Sequence, residues 1–285
     1  MRFFVFRRIK AHGVSYWIRN DIHHAMQRQT KRWMPALSGL LVALSLAASG
    51  HALAAEPEQP SCNDALAEAT LKARLRTGPT IDLVYKTHPL HNNRMIVALF
   101  HELSDKPGEV REDAKGFAMA IIDTDQNKIL QLYRNERDID ASIRISSGSL
   151  RLDTARYNLA PGVRALGVRM NIESSPSCAE GGQNDLLSLF VEEGATLRPV
   201  LEDLAMSQWT QVEGTSCGAI GARTVVDRIA RELVVLPGVT DGWHDLQVVA
   251  RHTIETHEGL DAAKPVRRTE KEKTLRAKGK AYPGL

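Results

Sequence analysis

The stretch Ala222-Arg223-Thr224-Val225-Val226-Asp227-Arg228-Ile229-Ala230-Arg231-Glu232-Leu233-Val234 supports two readings, and they lead to different proteins. Ala222, Val225, Val226, Ile229, Ala230 and Leu233 form a helical stripe, with Arg223, Asp227, Arg228, Arg231 and Glu232 opposite. On spacing alone this is an amphipathic helix. Before it lie an apolar run at 207–212 and Gly214-Thr215-Ser216-Cys217-Gly218, a match to G-x-S-x-G. A strand, that motif and a helix in order would make the elbow that exposes the nucleophile of α/β-hydrolases. If the stretch is a strand, the elbow has no helix behind it.

Working outward, the mature chain is punctuated like a β protein. Apolar runs at 81–86, 94–103, 116–123, 128–134, 149–153, 164–172, 185–191, 196–201, 207–212, 226–236 and 245–253 read as strands. Asp123-Thr124-Asp125-Gln126-Asn127, Glu193-Gly194, Pro237-Gly238 and Asp241-Gly242 break them. Asn63–Arg76 is the one short N-terminal helix expected, with Leu66, Ala67, Leu71 and Leu75 at helical spacing and a stop at Gly78-Pro79. The fold class is therefore mainly β: an antiparallel sandwich, a barrel or propeller-like sheet modules. A faint echo, G-x-x-D-L at Gly182 and again at Gly242, suits a repeated sheet module or two similar hairpins.

The N-terminus reads as an export signal. Arg28, Lys31 and Arg32 precede an apolar stretch, Met34–Ala48, which ends in small residues at Ala52 and Ala54. At about 15 residues it is shorter than the roughly 20 of a spanning helix. We expect residues 1–54 to be a cleaved signal peptide, with Met26 as the true start, and 55–61 to be a leader. Residues 62–285 would then form a single β-rich domain or two closely packed β subdomains.

Composition excludes the collagen-like, disordered and multi-span membrane classes. Of the 285 residues, the first 54 hold 8 of 37 Lys+Arg and 1 of 34 Asp+Glu, so the remainder carries net −4. The apparent basicity belongs to the precursor, and no nucleic-acid partner is expected. Cys62, Cys178 and Cys217 all follow the cleavage point, and in an oxidising compartment two should pair. Cys178 and Cys217 lie in Gly/Ser-rich, loop-like settings and are the preferred bridge; a bridge to Cys62 is the alternative.

Further segments carry a resemblance. Arg151-Leu152-Asp153-Thr154-Ala155-Arg156-Tyr157, Leu159-Ala160-Pro161-Gly162-Val163-Arg164-Ala165-Leu166-Gly167-Val168-Arg169, Met206-Ser207-Gln208-Trp209, Gly242-Trp243-His244-Asp245-Leu246 and Leu275–Tyr282 resemble exported proteobacterial proteins of unknown function, over roughly 115–285. The resemblance implies a strand at 226–236 and a periplasmic location. It implies no activity and no site residues.

Four groups of residues are chemical candidates. Ser216 could be a hydrolase nucleophile, with His244, His252 and His257 following it, although Cys217 beside it is the disulfide candidate. His88, His91 and His101 could stabilise the domain by binding zinc, since nearby imidazoles can share a metal. Arg151, Arg156, Arg164 and Arg169, with Arg144, could form an anion-binding patch if their strands are neighbours. Lys264–Lys280 holds 8 basic and 2 acidic residues and could meet an anionic envelope surface, or could close the fold as a final hairpin over 275–282. Asp123-x-Asp125-x-Asn127 imitates a calcium loop, but Lys128 stands where Gly is required, so it reads as a hairpin turn.

The expectation is a periplasmic, disulfide-bonded β protein without cofactor, acting as a binding or structural module of the cell envelope. The alternatives are a serine hydrolase at Ser216 and a metal-stabilised β domain.

Overall fold

The computed structural model describes residues 6–11, 14–19, 71, 78–105, 109–173, 178–218, 222–258, 261–262 and 265–284. The chain divides into two units, Met1–Ala55 and Glu56–Leu285. In the first, β1 (Phe6–Ala11) and β2 (Val14–Arg19) form an antiparallel hairpin. The cleavage region and the apolar stretch before it lie outside the described residues, as does Cys62. Of the expected helix at 63–76 only Leu71 is described; it is helical and its side chain is buried.

The second unit is one sheet of twelve strands. β3 (Thr80–His88), β4 (His91–Glu102), β5 (Ala114–Asp123) and β6 (Lys128–Asp138) form a first antiparallel meander. β7 (Leu150–Ala160), β8 (Val163–Met170), β9 (Gly181–Glu193), β10 (Thr196–Glu213), β11 (Thr224–Thr240) and β12 (Trp243–Glu258) form a second. β13 (Asp261–Ala262) and β14 (Val266–Leu275) pair with β12. The meanders meet where the start of β10 bridges β6 in parallel, Thr196 to Leu132. The sheet has free edges and does not close into a barrel, and its continuity excludes separate propeller blades.

Alternation along β8 and β9 explains the layering. Leu187 and Leu189 point one way, into a core with Tyr157, Val200, Leu204, Leu246 and Val248. Leu166, Val168 and Phe190 point the other way, against Phe100, Phe117 and Met119 of the first meander. Strands apolar on both faces are central ones, and each fully buried side chain stabilises by roughly 1.5–3 kcal/mol. The far face of the first meander buries Val97, Ala118 and Ala120 with Leu71.

Ala222–Val234 lies almost wholly in strand β11 and not in a helix. Its inner positions include Asp227, which meets His252 on the adjacent β12, and Arg231, which reaches Glu272 on β14 beyond it. Those inward charges break the period-two pattern. The runs at 196–201 and 207–212 are a single strand, β10, whose register shifts between Leu201 and Leu204, with Asp203 at φ 51°. The expected final hairpin over 275–282 is reduced to its turn: Lys278 and Ala281 exchange backbone N–H···O bonds (2.8 and 3.3 Å) around Gly279 and Lys280, at φ 57° and 61°. Leu275 ends β14, and the segment after it packs on the core without further strand. There Tyr282 N–H donates to the Val200 carbonyl (2.7 Å) and its hydroxyl to the His244 carbonyl (2.6 Å). Cys178 and Cys217 are bridged across 39 residues. Closing such a loop stabilises by roughly 3–4 kcal/mol on the chain-entropy estimate.

Candidate functional site

Two hairpin turns build a cleft at one end of the sheet. The β3–β4 turn is His88-Pro89-Leu90-His91, with His88 opposite His91 in the register. Its geometry is held by the first imidazole, whose Nδ1 accepts the Leu90 N–H at 3.2 Å. The β7–β8 turn is Ala160-Pro161-Gly162-Val163, with Ala160 opposite Val163 and Gly162 at φ 73°. Proline then glycine supplies the fixed and the positive φ that a type II turn demands. β9 passes beneath with Val191 and Glu192. Between them lies a cleft of about 280 Å³, also lined by His88, Leu90, His91, Val163, Arg164 and Leu166.

The polar groups are fixed by their neighbours. Since Nδ1 of His88 is an acceptor, Nε2 carries the proton and donates to Glu192 Oε1 at 3.0 Å. The other oxygen of Glu192 faces Arg94 Nη1 at 3.6 Å. The hydrogen bond from His88, helped by the nearby charges and opposed by burial, holds the Glu192 carboxyl below its ordinary value. His91 stacks on His88 with ring centroids 5.0 Å apart. Arg164 donates Nη2 to the Thr154 carbonyl at 2.7 Å, and its Nε is buried without an acceptor among the described residues.

The sequence candidates are thus regrouped. His88 and His91 come together, but His101 sits at the opposite end of β4, ten residues and roughly 33 Å along an extended strand. A zinc site from these three histidines is excluded by that separation. Among the described residues no group of three or more His, Cys, Asp or Glu is arranged to hold a metal ion. His101 lines a different opening, of about 500 Å³, beside Arg134 and Glu136.

The arginines do not converge into one patch. Arg169 donates Nε to Asp153 (2.8 Å) and Nη1 to Asp185 (2.6 Å), and Arg151 also reaches Asp185 (3.2 Å). Burial would raise the Asp153 carboxyl, but the Arg169 hydrogen bond and charge outweigh it and hold it below its ordinary value. Burial beside that carboxylate pushes the Tyr157 hydroxyl up to about 12. Arg156 is exposed, and only Arg164 reaches the cleft. On β14, Glu272 pairs with Arg231 and Glu270 with His252, while Arg268 lies 4.0 Å from Asp227, so part of the basic stretch faces fixed charges.

Ser216 lies in an exposed turn between two strands, where its hydroxyl donates to the Ala179 carbonyl at 2.7 Å. Among the described residues no helix follows it to form an elbow; strand β11 begins at Thr224. His252, the buried histidine downstream, is held between Asp227 (2.7 Å) and Glu270 (3.2 Å). Glu192 and Arg94 were the groups that sequence reasoning missed. The Pro161-Gly162 pair was the available signal that a tight turn sits next to Arg164.

The fold is a mostly antiparallel, open β sheet of two meanders with a cleft at its turns. No family model, curated protein or solved structure matches the chain.

Proposed function

We propose that this protein is an exported binding module of the cell envelope and that the cleft between the β3–β4 and β7–β8 turns is its binding site. One observation carries the reading: three segments distant in sequence converge there and leave the Arg164 guanidinium with an unanswered buried N–H. A preorganised concave site of this size suits a small molecule. Export is supported by the basic-apolar-small pattern at 28–54 and is compatible with the Cys178–Cys217 bridge.

A ligand screen by ¹H–¹⁵N NMR tests the reading. Ligands should shift amides of Leu90, Gly162, Val163 and Glu192 together, and Val163→Trp, which fills the cleft, should abolish those shifts. A broad screen that never moves these amides contradicts it.

A further inference from the structure

We infer that the cleft takes a small ligand through an anionic oxygen head, a carboxylate or a phosphate, with a short apolar portion against Leu90 and Val163. This rests on the cleft being the binding site, and adds the chemistry of the ligand.

The charge arrangement points to an anion. Glu192 is the acid of the cleft, and both its oxygens are already engaged: Oε1 accepts the His88 Nε2–H, and Oε2 faces its counter-ion, the Arg94 guanidinium, at 3.6 Å. Arg164 has no such counter-ion. Among the described residues no carboxylate lies within salt-bridge distance of it, and its one hydrogen bond goes to a neutral carbonyl. A guanidinium presents five N–H donors and no acceptor, and its planar fork matches the paired oxygens of carboxylate or phosphate. The Arg164 Nε–H, buried without an acceptor among the described residues, leaves the hydrogen-bonding capacity of its guanidinium unfilled beside the cleft.

His91 adds a second donor. Its ring is exposed, stacks on His88 and makes no hydrogen bond among the described residues. A neutral imidazole always keeps one N–H to offer. The cleft also offers apolar groups next to these donors: Leu90 is 61% exposed at the rim, and Val163 is half-buried. An exposed leucine beside unpaired donors suits an amphipathic acid better than a bare ion. The volume, about 280 Å³, is close to the lower bound for small-molecule pockets, so the part of a ligand it encloses is small.

Calorimetric titration with four probes tests this: octanoate, inorganic phosphate, octanol and octylammonium. Octanoate should bind, should weaken with added salt, and should lose about tenfold or more in affinity in Arg164→Gln. Arg156→Gln, which removes an exposed arginine outside the cleft, should bind like the parent. His91→Ala, at an exposed position, should weaken octanoate several-fold and serves if Arg164→Gln fails to fold.

Phosphate binding with the same Arg164 dependence would assign the head as any oxyanion. Octanoate binding without phosphate binding would assign a carboxylate that needs the apolar wall. Octanol or octylammonium binding as tightly as octanoate would overturn the inference while leaving a binding cleft. No binding by octanoate or phosphate would also overturn it, whereas the binding reading itself stands or falls on the broader amide screen.

Discussion

Arg137 and Asp203, 66 residues apart, form a fork-to-fork ion pair, with Nη1 to Oδ2 at 2.7 Å and Nη2 to Oδ1 at 2.9 Å. Arg137 lies on the last strand of the first meander and Asp203 in the β10 bulge of the second, so the pair ties the meanders together farther along the same two strands that bridge at Leu132 and Thr196. The Asp203 N–H donates to the buried hydroxyl oxygen of Ser188 at 3.1 Å, which fixes the bulge.

Asp203 therefore does two things, and two substitutions separate them. Asn tolerates the left-handed backbone but cannot accept both guanidinium protons as a carboxylate does. Asp203→Asn should cost about 1 kcal/mol, a value kept low by the pair's partial exposure. Asp203→Ala should cost about 1–2 kcal/mol more, because alanine is strained at φ 51°. Urea unfolding of the two variants reads the difference; equal losses would show that the backbone conformation contributes nothing.

Gly116 makes room for a ring. A Cβ there would lie 2.2 Å from Cε1 of His101 on the adjacent strand. Gly116→Ala should destabilise by about 1–3 kcal/mol through overpacking. The double variant with His101→Ala should recover most of that loss. Additive losses in a thermal-unfolding cycle would contradict the packing account.

Acid should weaken the fold in a defined direction. Glu192 is held below its ordinary carboxylate value chiefly by His88, and Glu272 is held below its own by Arg231. Each binds its proton more readily in the unfolded chain, so stability rises with pH across this range. The contribution is complete above the ordinary value near 4.5 and is lost as pH falls through the lower folded values. Chemical denaturation from pH 6 downward should show a shallower acid loss in Glu192→Gln than in the parent; parallel curves would remove Glu192 from the account.

Ser216 donates its proton to a main-chain carbonyl in a solvent-exposed turn. The purified protein should show no labelling by a fluorophosphonate probe, and Ser216→Ala should cost no more than about 1 kcal/mol. Labelling that disappears in Ser216→Ala would restore the hydrolase reading.

Much of the sheet was legible because Asp, Asn and Gly punctuate alternating runs. Asp123 shows why: its Oδ1 accepts the N–H groups of Asp125 and Gln126 and closes the β5–β6 turn. Legibility failed where polar residues face inward. Asp227 and Arg231 in β11 face ionic partners rather than solvent, so their spacing imitated a helix. Charges on both faces hid β14 entirely. In the cleft, residue type flagged His88, His91 and Arg164 separately, but no local pattern joins His88 to Glu192, 104 residues away.

The central claim, that the Arg164 cleft binds a small anionic ligand, is tested most directly at the guanidinium itself. The Arg164 Nε–H resonance can be followed by ¹H–¹⁵N NMR while octanoate is added. The account predicts a saturable shift at Arg164, with Arg137 and Arg169, already held by aspartates, unmoved. An Arg164 resonance that stays in place while octanoate binds elsewhere, or shifts spread equally over the three arginines, would contradict it.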